Sequence, residues 1–161
     1  MNIEIERRFL IHSDAWRGLG KFELLQQGYL SVDPDRTVRV RTANNQGWLT
    51  LKSAISNVSR QEFEYEIPFE EAQAIMQSMC PLTVAKYRHL IEFGGFTFEV
   101  DEFLGENAPL IVAEIELPSE DTPFERPEWL GEEITHDPRY TNSYLSKNPY
   151  ASWPENQTPA K

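Results

Sequence analysis

A strict alternation of acidic and apolar residues runs through residues 62–67, Glu-Phe-Glu-Tyr-Glu-Ile. Successive side chains of a β-strand point to opposite faces, so the three acids share one face and the three apolar residues share the other. The same period-two pattern recurs along the chain, which indicates a protein built mainly from strands. It predicts eight strands, at residues 3–11, 26–32, 37–42, 47–53, 59–68, 84–93, 96–103 and 111–117.

The segments between these strands carry turn and helix signals. Residues 44–47 (Asn-Asn-Gln-Gly) and 94–95 (Gly-Gly) suit the tight turns of β-hairpins. An apolar stripe with helical spacing predicts one helix that begins after Pro68 and ends by Pro81. Short helices are predicted over residues 13–19 and 142–147, with a further turn over 123–130. The elements together predict one α+β domain over residues 1–148, dominated by about eight antiparallel strands.

The last thirteen residues, 149–161, contain three prolines and are predicted to form an irregular C-terminal tail. The single cysteine, Cys80, excludes an intramolecular disulfide and a thiolate metal cluster. The chain opens with acids where a signal peptide would carry basic and then apolar residues, and it has no apolar run of membrane-spanning length. We therefore expect a cytoplasmic protein with no membrane partner. The net charge of −11 also argues against nucleic acid as a partner.

The polar face of each predicted strand is nearly all ionic, and its charges come in blocks of one sign. One interpretation is a set of solvated sheet faces with cross-strand salt bridges. The other is that these faces converge on one interior, because a barrel of about eight strands can enclose a small ligand and acids alone would repel one another. The charges in chain order are Glu4 and Glu6, followed on the same strand by Arg8; Arg39 and Arg41; Lys52; Glu62, Glu64 and Glu66; Lys86 and Arg88; Glu99 and Asp101; and Glu114 and Glu116.

A converging interior of this kind suits a polyanion and a metal ion. Arginine and lysine bind phosphate oxygens through charge-assisted hydrogen bonds. Glutamates offer the hard oxygen ligands that Mg²⁺ and Mn²⁺ prefer. Zinc is disfavoured because the three histidines, His12, His89 and His136, form no cluster with ligand spacing.

The order of these motifs resembles the CYTH superfamily, also called triphosphate tunnel metalloenzymes. The opening Glu-x-Glu motif is similar to the family signature, although Arg8 stands where the family usually has lysine. The resemblance covers the chain from Met1 to about Lys147. The matching segments are residues 4–10, 27–30, 39–41, 49–52, 62–64, 86–88, 114–116, 131–135 and 137–143.

The resemblance implies an eight-stranded antiparallel barrel, flanked by a few short helices, that binds a linear triphosphate and a divalent cation, Mg²⁺ or Mn²⁺. Stand-alone bacterial members with this opening are similar to inorganic triphosphatases, so inorganic tripolyphosphate is the expected substrate. The implied catalytic residues are Glu4, Glu6, Lys52 and Tyr29. The implied metal ligands are Glu4, Glu6, Glu62, Glu64, Glu114 and Glu116. The implied phosphate-binding residues are Arg8, Arg39, Arg41, Lys52, Lys86, Arg88 and Arg139.

Three other functions stay open from the sequence. The same tunnel occurs in class IV-type adenylyl cyclases and in thiamine or nucleoside triphosphatases, since one set of phosphate-binding residues can bind all of these substrates. A non-catalytic module that binds polyphosphate or a triphosphate is a third alternative, although such a module would need the arginines and lysines but few of the glutamates. A homodimer is compatible with the sequence. Asp101 alternates correctly for an inward position from which it would orient a cation.

Overall fold

The computed structural model describes residues 3–33, 35–56 and 59–156, and within them nine strands form one antiparallel sheet. Eight strands close into a barrel in the order β5-β4-β3-β2-β6-β7-β8-β1, because β1 also pairs with β5. The predicted eight-stranded antiparallel barrel is therefore confirmed. The strands are β1 (Ile3–Ile11), β2 (Lys21–Asp33), β3 (Arg36–Ala43), β4 (Gln46–Ala54), β5 (Ser59–Ile67), β6 (Thr83–Phe93), β7 (Phe96–Phe103), β8 (Ile111–Glu116) and β9 (Leu130–Glu133).

Strand β1 holds the barrel together because it has three partners along its length. Its first residues pair with β5 (Ile3 opposite Gln61), and its middle pairs with β8 (Arg8 opposite Glu114). Its last residues also pair with β9, which lies outside the closed ring. The sequence did not predict β9, since four residues without alternation carry no strand signal of their own.

The turns and the two α-helices agree with the sequence. Asn44 and Asn45, at φ 49° and 63°, join β3 to β4, and Gly94 and Gly95 join β6 to β7 with positive φ as well. Helix α1 (Phe69–Met79) lies between the predicted limits, and α2 (Asn142–Lys147) has the predicted bounds. Helix α1 packs closely on β4, since a Cβ on Gly47 would lie 2.6 Å from the Cβ of Ala72.

Other boundaries differ from the expectation. Strand β2 begins at Lys21 rather than residue 26, because its early residues pair with the end of β6. The helix expected over residues 13–19 is a single 3₁₀ turn, Asp14–Trp16, which is followed by Gly18 at φ 79°. No helix forms in the described residues 123–130, where two prolines lack the backbone N–H that a helix interior needs.

The described part of the C-terminal segment is more ordered than the expected irregular tail. It forms two 3₁₀ turns, Tyr150–Ser152 and Pro154–Asn156. Trp153 between them is buried and packs edge-to-face against Tyr140, Tyr144 and Tyr150. Residues 1–2 of the expected domain and 157–161 of the expected tail lie outside the described residues.

The hydrophobic cores lie on the outer face of the barrel wall. The largest cluster contains Phe9, Phe98 and Ile115, together with Trp16 and Trp129 from the flanking segments. A second cluster joins β6–β8 to α2 and the C-terminal segment, and a third joins α1 to β3. Among the described residues, no helix is long and apolar enough to cross a membrane. The wall is thus apolar outside and charged inside, which leaves the barrel interior for a polar ligand.

Candidate functional site

The interior of the barrel holds one cavity of about 210 Å³ whose surface is mostly ionic. The period-two geometry of the strands turns alternate charged residues into this space. Its acidic residues are Glu4, Glu6, Glu62, Glu64, Glu99, Glu114 and Glu116, and its basic residues are Arg8, Arg39, Arg41, Lys52, Arg60 and Arg88. The structure therefore brings together all six predicted metal ligands and five of the seven predicted phosphate-binding residues, along with Tyr29.

Most of the cavity's cations are paired with carboxylates. The Lys52 ammonium lies 3.0 Å from Glu4 and 3.4 Å from Glu62. Arg39 lies 3.8 Å from Glu64, which also accepts a hydrogen bond from the hydroxyl of the buried Thr50. Since Lys52 and Arg39 are mostly buried, these carboxylates compensate their charges when no anion is bound.

On the acidic wall, carboxylates face each other across strands. Glu6 on β1 is the register partner of Glu116 on β8, and Glu99 on β7 is the partner of Glu114. Burial raises the pKa of Glu114 to about 7, and the negative charges of Glu6 and Asp101 add to this effect while Arg88 opposes it. Opposed acids of this kind repel one another unless a cation or a proton lies between them.

Tyr29 lies on the basic wall beside Arg39 and Arg41, and it is almost completely buried. Burial raises the pKa of its hydroxyl, although the nearby cations oppose that rise. The Tyr29 hydroxyl accepts a hydrogen bond of 2.9 Å from the side-chain amide of Gln27. The oxygen of the same amide accepts two bonds from Arg41, of 2.9 and 2.8 Å.

Two predicted phosphate-binding residues do not line the cavity. Lys86 is fully buried and donates to Asp101 at 2.7 Å and to Asn142 at 2.9 Å, so it joins the wall to the start of α2. Although burial raises the pKa of Asp101, Arg88 and Lys86 together hold it below its usual range. Arg139 lies outside the lining because its guanidinium bonds Asp137 and Glu155 and stacks on Trp153.

The comparison with protein families agrees with this geometry. A family model for the CYTH domain matches residues 2–146. The chain belongs to the CYTH family. Two curated relatives carry the name inorganic triphosphatase: one from Acetivibrio thermocellus is 50% identical over 96% of this chain and 100% of the relative. The other, from Nitrosomonas europaea, is 36% identical over 89% of this chain and 96% of the relative.

Solved structures match most of the chain. The crystal structure of an inorganic triphosphatase is 35% identical, with a TM-score of 0.65, and covers 88% of this chain and 96% of that chain. A putative adenylate cyclase from Bacillus halodurans has a TM-score of 0.60 at 18% identity, covering 74% of this chain and 84% of that chain. At that identity the second likeness shows the fold alone.

The structure shows how the CYTH barrel accommodates Arg8, which stands where the resemblance leads us to expect a lysine. Its guanidinium donates to the backbone carbonyl of Thr135 at 3.1 Å and to Glu6 at 3.2 Å. Its backbone N–H also donates to the Thr135 hydroxyl at 3.0 Å. Arg8 therefore spans from the acidic wall to the segment after β9, a reach that the two-pronged arginine head provides.

The donor set of the CYTH cavity fits a hard divalent cation. Carboxylate oxygens are the ligands that Mg²⁺ and Mn²⁺ prefer, and a cation between the opposed pairs Glu6/Glu116 and Glu99/Glu114 would reduce their repulsion. Arg8 already lies 3.2 Å from Glu6 and Arg88 3.1 Å from Glu99, so part of this repulsion is compensated. Among the described residues, no three His, Cys, Asp or Glu side chains already form a metal-binding cluster. The ion pairs with Lys52, Arg39 and Arg8 account for this, because they hold four of the six predicted acids in other contacts.

Several lining residues were not among the predicted site residues. Arg60 and Glu99 both continue an alternation that the sequence shows, Arg60 two residues before Glu62 and Glu99 two before Asp101. Gln27 belongs to the matching segment 27–30 but was not a predicted site residue; it does not line the cavity and joins Arg41 to Tyr29. Thr141, Asn142 and Ser143 reach the cavity from the start of α2, and no local pattern marks them.

Proposed function

We propose that this chain is a metal-dependent triphosphatase that hydrolyses inorganic tripolyphosphate to pyrophosphate and orthophosphate. The observation that carries this proposal is the facing of a basic wall and an acidic wall across one barrel cavity of about 210 Å³. A linear triphosphate is opposite in charge to the basic wall, and the acids opposite supply cation ligands. The names of the two curated relatives support the same activity.

In this proposal the basic wall binds and orients the phosphates. Arg39 and Arg41 on β3 and Arg88 on β6 lie on either side of β2, and Lys52 extends this wall to β4. Arg8 adds a further cation from the acidic side, since it lies on β1 beside Glu4 and Glu6. Phosphoryl transfer depends mainly on positioning and on neutralising charge, and these side chains do both. Lys86 takes a supporting part, since its ammonium is held by Asp101 and Asn142 rather than presented to the cavity.

The acidic wall would hold Mg²⁺ or Mn²⁺ through Glu4, Glu6, Glu62, Glu64, Glu114 and Glu116. When bound, the ion supplies neutralisation of the phosphate oxygens and a lower pKa for a water molecule. In this proposal a glutamate of this wall, Glu4 or Glu6, accepts the proton of the attacking water. Lys52 bonds Glu4 across the cavity, and the Tyr29 hydroxyl is available to a phosphate oxygen from the basic wall.

Phosphate release from tripolyphosphate, ATP, thiamine triphosphate and pyrophosphate tests the proposal, each with Mg²⁺, Mn²⁺ or a chelator. We expect fast release from tripolyphosphate that the chelator abolishes. Cyclic AMP formed from ATP would instead indicate the adenylyl cyclase activity, and faster release from thiamine triphosphate or ATP would indicate those substrates. Tight binding without turnover in the presence of either metal would establish the non-catalytic module.

We further propose that the protein acts in the cytoplasm on a small-molecule triphosphate, without nucleic acid or a membrane as partner. The net charge of −11 supports this, because a phosphate backbone would be repelled. Light scattering after size exclusion distinguishes a monomer from a homodimer. Fractionation of cells tests the location.

A further inference from the structure

Arg41 differs from the other predicted phosphate-binding residues inside the barrel in the charge of its partner. Within the described residues, each of the other five lies within 4.0 Å of a carboxylate. The pairs are Arg8 with Glu6, Arg39 with Glu64, Lys52 with Glu4, Lys86 with Asp101 and Arg88 with Asp101. The side-chain partner of Arg41 in the same part of the chain is a neutral amide, that of Gln27.

The orientation of the Gln27 amide follows from the chemistry of its neighbours. A guanidinium has only N–H donors, so the amide atom that faces Arg41 must be the oxygen. That oxygen accepts from Nε at 2.9 Å and from Nη2 at 2.8 Å, and the amide nitrogen donates to the Tyr29 hydroxyl at 2.9 Å. Gln27 is completely buried, and both the oxygen and the nitrogen of its amide form hydrogen bonds. These bonds fix the position of the side chain.

This arrangement leaves Arg41 oriented and still charged. Two of its five N–H groups bond Gln27, and three remain for an anion in the cavity that Arg41 lines. A carboxylate in the same place would hold the guanidinium as well but would cancel much of its charge. A substrate would then have to compete with an internal ion pair before Arg41 could bind it.

We propose that Gln27 is a positioning residue that presents Arg41 to the triphosphate, because its neutral oxygen fixes the guanidinium without neutralising it. The inference rests on the proposed function, since it assigns Arg41 a phosphate contact. It also assigns the Tyr29 hydroxyl a direction: its oxygen accepts from Gln27, so its proton is free for an acceptor in the cavity.

The deciding variant is Gln27→Glu, which keeps the shape and the acceptor oxygens and changes only the charge and the bond to Tyr29. At pH 8 we expect the dissociation constant for tripolyphosphate, measured calorimetrically with a chelator present, to rise at least tenfold. We also expect KM in the metal-dependent reaction to rise more than kcat falls. The melting temperature of the ligand-free variant should stay equal or rise, because the introduced carboxylate pairs with Arg41.

Two further variants separate this role from a structural one. Gln27→Leu removes the acceptor, so we expect it to weaken tripolyphosphate binding and to lower the melting temperature, opposite in sign to the effect of Gln27→Glu on stability. Gln26→Glu adds the same charge to the exposed neighbouring position of β2 and should leave binding and KM unchanged. If Gln27 were only structural, binding would follow the melting temperature in both Gln27 variants.

The wild-type protein is measured first with tripolyphosphate. A wild type that is active, together with a Gln27→Glu variant that binds tripolyphosphate as tightly, overturns the role of Gln27 and leaves the proposed function intact. A wild type that neither binds nor hydrolyses any triphosphate overturns both.

Discussion

Glu114 and Ile115 are neighbours on β8 and are both buried, yet they face opposite environments. Ile115 points outward into the cluster of Phe9, Phe98 and Trp129, where every contact stabilises the folded chain. Glu114 points inward, opposite Glu99 and close to Glu6, where burial and like charge both oppose ionisation. The outer face of this barrel therefore supplies stability, and the inner face around Glu114 holds opposed like charges whose repulsion a bound cation would relieve.

The largest expected effect lies on the outer face. Replacing Phe98 by Ala removes a fully buried ring that contacts Trp129, Phe93 and Phe124, so we expect a loss of about 3–5 kcal/mol in the free energy of unfolding. Urea unfolding measures the loss. The folded variant should keep turnover close to that of the wild type. Phe96→Ala, at a partly buried site on the same strand, is the control and should cost less.

An inner-face change should act on activity instead. Glu114→Gln removes a proposed metal ligand, and we expect turnover of tripolyphosphate to fall at least about 100-fold, equivalent to about 2.7 kcal/mol. Phosphate release at saturating metal measures the effect, and Glu132→Gln on the exposed part of β9 is the control. Normal metal-dependent turnover in Glu114→Gln would contradict the assignment of the acidic wall.

The same variant should change how stability depends on pH in the metal-free protein. The pKa of Glu114 is raised to about 7 in the folded chain from an ordinary value of 4.5, so between these values the folded state holds a proton that the unfolded state has lost. The contribution of Glu114 to the free energy of unfolding of the wild type therefore decreases as pH rises from about 4.5 to 7. Urea unfolding with a chelator at pH 5 and pH 8 should show this loss in the wild type and a smaller one in Glu114→Gln.

A smaller effect is expected at Arg8, which lines the cavity and bonds the segment after β9. Arg8→Lys keeps the charge but cannot reach both Glu6 and the Thr135 carbonyl in the same way, so we expect a threefold to tenfold rise in KM, about 1 kcal/mol. Steady-state kinetics with tripolyphosphate measures it. An unchanged KM, with unchanged stability, would mean that these two bonds do not orient the substrate-binding head.

The smallest effect is expected from the ion pair between Arg7 and Glu133 on the outside of the barrel. Two hydrogen bonds of 2.7 and 2.8 Å join them, yet both side chains are about one-third exposed, so a double-mutant cycle should give about 0.5–1 kcal/mol at pH 7. Bonding to Arg7 lowers the pKa of Glu133 to about 2, hence this coupling is present above about pH 4.5 and is lost as pH falls towards 2. Arg7→Ala and Glu133→Gln supply the cycle, and a coupling that persists unchanged at pH 3 would contradict the carboxylate assignment.

The alternation of the sequence predicted most of the strands, because period-two patterns follow directly from strand geometry. It also predicted which charges share a face, and Glu62 and Glu64 illustrate this, since both line the cavity. It missed β9, which exists only because β1 offers it an edge. It misplaced Arg139 for a similar reason: an arginine in a loop gives no signal for whether it faces a cavity or, as here, Asp137 and Trp153.

The sequence by itself determined the barrel class, the family and the two sets of charge that line the cavity, since each depends on local periodicity or on motifs in order. The tertiary structure decided which of these charged side chains line the cavity and which are bonded to other residues away from it. Lys86 and Arg88 alternate on one strand, yet the first is sealed behind Asp101 and Asn142 while the second lines the cavity. Such distinctions depend on partners distant in the chain, as Gln27 and Arg41 also show, and no periodicity within one segment encodes them.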